Sequence, residues 1–205
     1  STFGFSVWLR PQEISLTHHG VAHDGEVATR LGLPTIPVCA ETIAISNIIL
    51  LMKETGVKVH LCRISSAEGL VLIREAKQQG LPVTCDVTIN HLHLSDMDIG
   101  FFDSNCHLMP PLRGFSDRNA LRQGLLDGTI DAVCSDHAPV DEDAKLLPFG
   151  QAEIGATGVE LLLSLTLKWG TEMRLPLSKT LRKITCDSAP ILGIDAGHLS
   201  VGSAA

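Results

Sequence analysis

Short apolar runs alternate with amphipathic runs along this chain, and this alternation constrains the fold more than any other feature. The apolar runs predict four β-strands, at 5–9, 57–62, 81–89 and 131–134. The amphipathic runs predict helices at 41–55, 67–79, 117–126 and 158–169, with further helical segments to about residue 192. Strands that alternate with helices form a parallel sheet with right-handed crossovers. Four such units are half of the set that closes an eight-stranded (β/α)8 barrel.

Residues typical of helix ends support these boundaries. Gly56 and Gly80 follow two of the predicted helices, as expected at a helix C-terminus. Ser65 and Ser66 are positioned to cap the helix at 67–79, and Ser116 is predicted to cap the next helix. The remaining long stretches predict loops, one of which contains Pro34 and Pro37 and another of which runs through Met109 to Arg113.

The chain shows no internal repeat, linker or low-complexity tract, so residues 1–205 are predicted to form one domain. It begins almost directly on a strand and ends without a closing element. We therefore expect a partial barrel that is truncated at both ends. Such a half barrel leaves sheet edges open, which predicts self-association or pairing with a missing N-terminal half.

Composition limits the classes of partner. The formal net charge is -7, which argues against non-specific nucleic-acid binding. No apolar run is long enough to span a bilayer and no signal peptide is evident, so we expect a cytoplasmic protein without membrane contact. Six cysteines occur without C-x-x-C spacing, which indicates small buried side chains in a reducing compartment.

Polar residues at the carboxyl ends of the predicted strands are the candidate site residues, because active sites of such folds lie there. The last strand is followed by Asp136, whose carboxylate could be a metal ligand, a general base or only a local cap. His91 and His93 could bind zinc if their segment is extended, although two packed histidines are the simpler interpretation. Four other histidines are interpreted as structural: His18, His19, His23 and His60.

Several motifs resemble the dihydroorotase family in order and spacing over about residues 5 to 202. The motifs of the first part are Gly25-Glu26-Val27-Ala28-Thr29-Arg30-Leu31-Gly32-Leu33-Pro34, Ala40-Glu41 and Ile64-Ser65-Ser66. Those of the second part are Pro110-Pro111-Leu112-Arg113, Asp127-Gly128-Thr129-Ile130-Asp131 and Ser135-Asp136-His137-Ala138-Pro139. The resemblance implies strands five to eight of an amidohydrolase (β/α)8 barrel.

Members of the dihydroorotase family interconvert carbamoyl-aspartate and dihydroorotate in pyrimidine biosynthesis and use zinc to do so. The resemblance implies histidine ligands after strands one, five and six, a bridging carboxylate after strand four and an aspartate after strand eight. Asp136 fits this last position, as both metal ligand and acid/base. Arg10 and Arg63 stand at the strand-five and strand-six histidine positions. A guanidinium has no free lone pair for zinc. We therefore expect this chain to bind no zinc, with both arginines pairing with a vestigial Asp136.

The substrate positions implied by the resemblance are also altered. Met109 stands where the family has asparagine and Val140 where it has histidine, so two groups that hold the substrate carboxylate are replaced. Ile154 and Gly155 lie in the loop that presents main-chain groups to the substrate in the family, and the glycine is retained.

These substitutions predict a dihydroorotase-like protein that has lost its metal and its activity and that acts as a non-catalytic partner of aspartate carbamoyltransferase. Three alternatives remain. The full-length protein could be an active zinc-dependent dihydroorotase, it could be an amidohydrolase with another substrate, or His91 and His93 could serve as relocated zinc ligands. For the 205 residues alone we predict no catalysis under any of these hypotheses.

Overall fold

The structure is a computed structural model in which residues 5–203 are described, and these residues form six strands. The strands are β1 (Val7–Leu9), β2 (Ala22–His23), β3 (Thr35–Ile36), β4 (Val59–Leu61), β5 (Val83–Thr88) and β6 (Ala132–Cys134). Four of them form a parallel sheet in the order β1-β4-β5-β6, and β2 pairs with β3 in a separate two-stranded sheet.

Helices connect the strands and cover one face of the larger sheet. The α-helices are α1 (Glu26–Leu31), α2 (Cys39–Thr55), α3 (Ala67–Gln78), α4 (Phe115–Asp127), α5 (Glu142–Lys145), α6 (Val159–Glu172), α7 (Leu177–Arg182) and α8 (Ala189–Leu192). Short 3-10 helices occur at Ile14–Leu16, Asn90–Leu92, Asp96–Ile99 and Ser104–Cys106. The four predicted strands and the helices between them are confirmed, with ends that differ by a few residues.

The two faces of the sheet differ in chemistry because side chains alternate along each strand. Val59 and Leu61 of β4 are buried in the main apolar core, which also contains Trp169 of α6. The opposite face carries polar side chains, and here Trp8, His60 and Thr84 stand side by side on neighbouring strands. Trp8 contacts the His60 ring with 4.3 Å between ring centroids. The polar face therefore runs up to the carboxyl ends of the strands.

The segment between β1 and α2 is more structured than predicted. The sequence favoured a loop, but the segment contains α1 and the β2–β3 pair. These short elements enclose a second apolar cluster, in which Ala22 and Ala28 contact residues of the loop after β5 such as Leu108 and Leu112. Two-residue strands are stabilised by this packing and have no periodic pattern of their own, which explains why the sequence did not predict them.

One predicted helix cap is confirmed and another is wrong. The Ser66 hydroxyl accepts a hydrogen bond from the Gly69 amide at 3.0 Å and so caps α3. Ser116, in contrast, lies inside α4, which begins at Phe115 after an extended Gly114. The carboxylate of Asp117 in the first turn of α4 accepts from the Ala67 amide at 2.8 Å. The start of α4 is thus tied to the start of α3 by a tertiary contact.

No helix among residues 5–203 is both long enough and apolar enough to cross a membrane.

Candidate functional site

Arg63 and Asp136 meet at the carboxyl end of the sheet, where they follow β4 and β6. Arg63 Nη1 lies 2.7 Å from Asp136 Oδ1, and the two side chains are 32% and 19% exposed. Both residues have positive φ values, 59° for Arg63 and 46° for Asp136. Residues other than glycine adopt this conformation at a cost in free energy, so the surrounding structure must hold them in it.

Asp86 of β5 supplies part of that support. Its Oδ1 accepts a hydrogen bond from the Arg63 amide at 2.7 Å, and its main-chain oxygen accepts one from the Ile64 amide at 3.0 Å. Asp86 is only 6% exposed. The buried carboxylate therefore fixes the turn that directs Arg63 towards Asp136.

Arg10 lies close enough to this pair to affect its charge balance but does not join it. Burial lowers the pKa of Arg10, the positive charge of Arg63 lowers it further, and Asp136 partly opposes both effects. Among the described residues, the Arg10 side chain makes no hydrogen bond to Asp136. The expected pairing of Asp136 with both arginines is confirmed for Arg63 alone.

The site implied by the resemblance does not fit zinc. Arg63 directs a guanidinium nitrogen at Asp136 Oδ1, which is an oxygen that the metal would need. Neither Arg63 nor Arg10 has a lone pair to donate, and both carry positive charge that would repel a cation. Arg63 and Asp136 form an ion pair, and Arg10 is a second cation beside it. We therefore derive no metal-dependent hydrolytic step at this position.

Three of the four substrate positions line two separate cavities. Met109 lines a cavity of about 10 Å³ together with Arg10 and Arg63, which is space for at most one water molecule. Its sulfur accepts a hydrogen bond from the Gln12 side-chain amide at 3.7 Å. Val140 and Gly155 line a different, open cavity of about 480 Å³.

The main-chain groups near Gly155 are partly used inside the protein. The Gly155 amide donates to the main-chain oxygen of His107 at 3.1 Å, so this donor is not available to a ligand. Ile154 is 46% exposed. Gly155 has a φ of 143°, a conformation that favours glycine. Its retention is thus explained by the backbone of the loop, independently of any substrate.

His91 and His93 do not form a metal-binding pair. His91 lies in the 3-10 helix Asn90–Leu92 and His93 follows it directly, so the alternative of an extended H-x-H does not hold and the simpler interpretation of two packed histidines is favoured. The His91 ring lies between Thr88 Oγ1 at 2.7 Å and the main-chain oxygen of Pro111 at 3.2 Å. His93 Nε2 instead contacts the main-chain oxygen of Leu165 at 2.9 Å. Burial lowers the pKa of His91 to about 4, which is the behaviour of a packed neutral histidine.

A buried network around Glu41 connects three of the motifs that carry the family resemblance. Glu41 in α2 accepts hydrogen bonds from the amides of Ser65 and Ser66, each at 3.0 Å, and from both of their hydroxyls. Arg113 donates to the Ser65 hydroxyl at 3.2 Å and to the main-chain oxygen of Ile36 at 2.8 Å. Burial lowers the pKa of Arg113. These motifs hold the segment after β4, and therefore the position of Arg63.

Sequence reasoning missed one cluster on the polar face of the sheet. His60 Nε2 lies 2.9 Å from Asp86 Oδ2, and the nearest ligand atoms of His60, Cys62 and Asp86 are all within 4.8 Å of one another. Burial raises the pKa of the Cys62 thiol to about 11, helped by the negative charge of Asp86. The sequence alternation does indicate that His60 and Cys62 lie on the same face of the strand, opposite Leu61. Their contact with Asp86, however, depends on the pairing of β4 with β5, which the sequence does not specify.

The cysteines are less uniformly buried than predicted. Cys85 and Cys106 are buried, as expected, whereas Cys39 is exposed and the other three are intermediate. All six are free thiols.

Comparison with known sequences identifies relatives along nearly the whole chain. Residues 13–205 match the amidohydrolase family. A dihydroorotase-like protein of Pseudomonas putida is 42% identical over 205 residues, which are 48% of its length. A dihydroorotase of Citrifermentans bemidjiense is 39% identical over 200 residues, which are 47% of its length. The chain thus spans about half the length of the curated relatives it matches.

Solved structures show the same relationship. A D-hydantoinase from a Thermus species superposes with a TM-score of 0.86 at 23% identity over 100% of this chain and 47% of its own. An L-hydantoinase from Arthrobacter aurescens gives 0.86 at 25% identity over 98% of this chain and 46% of its own. These neighbours have the amidohydrolase barrel, so the four-stranded sheet corresponds to half of a TIM-type barrel and the predicted fold class is confirmed. The chain belongs to the amidohydrolase family.

Proposed function

We propose that this chain belongs to a dihydroorotase-like protein of pyrimidine biosynthesis that does not hydrolyse dihydroorotate and acts as a non-catalytic partner of aspartate carbamoyltransferase. The observation that carries the proposal is the 2.7 Å contact between Arg63 Nη1 and Asp136 Oδ1. A cationic side chain takes the position of a metal ligand and uses the carboxylate that would serve as acid/base.

Two further observations support the loss of activity. Arg10 adds a second cation beside the pair, so both histidine positions implied by the resemblance carry groups that cannot ligate zinc. Met109 and Val140 lack polar groups that could hold a substrate carboxylate. The relationship to the dihydroorotase-like protein of Pseudomonas putida agrees with this proposal at the level of the family.

The partnership with aspartate carbamoyltransferase is proposed by analogy with non-catalytic members of the dihydroorotase family. A binding role needs a folded barrel but no metal at Asp136. The buried network of Glu41, Ser65 and Ser66 keeps the loops at this end of the sheet ordered without a metal. The structural role of these motifs therefore does not depend on the groups at positions 10 and 63.

The decisive experiment for activity measures dihydroorotate hydrolysis and carbamoyl-aspartate cyclisation by the purified protein, with and without added zinc. We expect no turnover above the uncatalysed rate in either direction. The control is the Asp136→Asn variant, which should match the unmodified protein. Zinc-dependent turnover that Asp136→Asn abolishes would instead establish the alternative, an active dihydroorotase, which the relative from Citrifermentans bemidjiense favours.

The partnership is tested separately by mixing the protein with aspartate carbamoyltransferase from the same organism and measuring the molar mass of the eluted species by light scattering. We expect one complex that contains both chains and that forms equally with Asp136→Asn. Separate elution of the two proteins at micromolar concentrations would refute this part of the proposal.

A further inference from the structure

We propose that His60, Cys62 and Asp86 form a binding site for a zinc-like divalent cation, on the polar face of the sheet beneath the Arg63–Asp136 pair. The site differs from the one implied by the family resemblance because it contains neither Arg10 nor Arg63 nor Asp136. It also departs from the expectation that this chain binds no zinc, which concerned those three positions.

The geometry of the three side chains suits a single ion. His60 is on β4, Cys62 follows the same strand one residue beyond its end, and Asp86 is on the neighbouring β5. Their ligand atoms lie within 4.8 Å of one another. An ion with ligand distances of roughly 2.0 to 2.3 Å can reach all three atoms after small side-chain movements.

The His60–Asp86 contact provides two of the ligands in an oriented state. His60 Nε2 and Asp86 Oδ2 are 2.9 Å apart, and the two residues are 1% and 6% exposed. His60 Nδ1 lies 2.8 Å from the Thr84 hydroxyl, which fixes the ring from its other side. Metal-binding histidines characteristically have such a partner on the second nitrogen. A divalent cation would take the position of the hydrogen bond between His60 Nε2 and Asp86 Oδ2.

Cys62 adds the ligand type that distinguishes a zinc-like site from an ion pair. The Cys62 sulfur lies beside the buried carboxylate of Asp86. Sulfur, imidazole and carboxylate together select zinc or cobalt over magnesium or calcium, which prefer oxygen ligands. On binding, the thiol gives up its proton to solvent and the thiolate occupies one coordination position.

The surroundings allow the extra positive charge. Asp86 Oδ1 is held by the Arg63 amide at 2.7 Å and by the Cys134 thiol at 3.3 Å, while Oδ2 faces His60. The guanidinium of Arg63 is turned towards Asp136, which neutralises it. Three protein ligands leave a fourth position for water. Because Asp86 also supports the Arg63 turn, a bound ion would stabilise the segment that carries Arg63.

Titration of the metal-free protein with Co²⁺ tests this site, because thiolate-to-cobalt charge transfer gives an absorption band that oxygen and nitrogen ligands do not. We expect one Co²⁺ per chain with this band. Cys62→Ser should remove the band and weaken binding by about tenfold or more. The controls are Cys39→Ser, which changes an exposed cysteine outside the cluster, and Asp136→Asn, which changes the family position. Both should leave the band in place, and Cys39→Ser should also leave the affinity unchanged.

A second measurement on the unmodified protein guards against misfolding of Cys62→Ser. Alkylation with iodoacetamide followed by mass spectrometry should show that Zn²⁺ protects Cys62 but leaves Cys39 reactive. The proposal is overturned by the absence of the charge-transfer band, by its survival in a folded Cys62→Ser variant, or by equal alkylation of Cys62 with and without Zn²⁺. Loss of the band in Asp136→Asn would assign the metal to the family position and would overturn both this site and the proposed loss of activity.

Discussion

Arg63 Nη1 and Asp136 Oδ1 are 2.7 Å apart across the carboxyl ends of β4 and β6, two strands that are not neighbours in the sheet. The contact spans β5, whose Asp86 holds the main chain of Arg63. Arg63 is thus held by one side-chain contact and one main-chain contact.

The coupling between Arg63 and Asp136 should be measurable in a double-mutant cycle of Arg63→Met and Asp136→Asn. We expect a coupling free energy of about 1 kcal/mol from urea unfolding, because both side chains are partly shielded from solvent. The control pair is Arg74 and Asp127, with a similar separation of 2.9 Å but side chains that are 41% and 47% exposed. Its coupling should be smaller, and equal couplings would show that burial does not strengthen the Arg63 pair.

Glu41 should contribute far more to stability than its charge alone suggests. Its carboxylate receives four hydrogen bonds from Ser65 and Ser66 and is 4% exposed. Glu41→Gln places an amide NH2 against these donors, so we expect a loss of about 3 kcal/mol in the free energy of unfolding. Glu54→Gln, on the exposed side of the same helix, is the matched control and should change stability by less than about 0.5 kcal/mol. Comparable losses in both variants would contradict the role of the network.

His91 should make the protein less stable as the pH falls from about 6.5 to about 4. Burial lowers its pKa to about 4 in the folded protein, with Arg113 and Arg63 adding to the effect and the main-chain oxygen of Pro111 opposing it. In the unfolded chain His91 is protonated below about pH 6.5, whereas in the folded protein it stays neutral down to about pH 4. Protonation therefore stabilises the unfolded chain over this range, by up to about 3 kcal/mol at pH 4.

The measurement is the free energy of unfolding at several pH values for the unmodified protein and for His91→Gln. The variant should lose the part of the pH dependence that lies between pH 6.5 and 4, although it is less stable throughout. An NMR titration of the His91 ring provides the check. A midpoint near 6.5 in the folded protein would refute the prediction.

Gly155 should be intolerant of any side chain even though no substrate contact is required of it. Its φ is 143°, and an added Cβ would overlap the main-chain oxygen of Ala138. We expect Gly155→Ala to lower the free energy of unfolding by about 2 to 3 kcal/mol. Gly150→Ala is the control, because a Cβ there meets only Val21 at 3.7 Å. If both variants unfold at the same urea concentration, the loop around Gly155 is not constrained as described.

The sequence predicted a strand or helix wherever the apolar residues of that element recur with the period of a strand or of a helix. The apolar run of β5, the amphipathic helix α3 and the Ser66 cap were all predictable because each depends on residues close together in the chain. The same local reasoning failed for β2 and β3, which are two residues long and depend on packing in the second apolar cluster. It also failed for the start of α4. There the Asp117 side chain in the first turn accepts a hydrogen bond from the Ala67 amide, a tertiary contact that the local sequence does not reveal.

The sequence by itself determined that arginines stand at positions 10 and 63 and an aspartate at position 136, and its resemblance to the dihydroorotase family is what suggested a comparison with metal ligands there. Only the tertiary structure decided that Arg63 pairs with Asp136, and that His91 and His93 turn to different partners. It also brought His60 and Cys62 to Asp86, more than 20 residues away. The physical reason is that strand register and the surrounding packing set distances between side chains, and neither is encoded in the local spacing of residues.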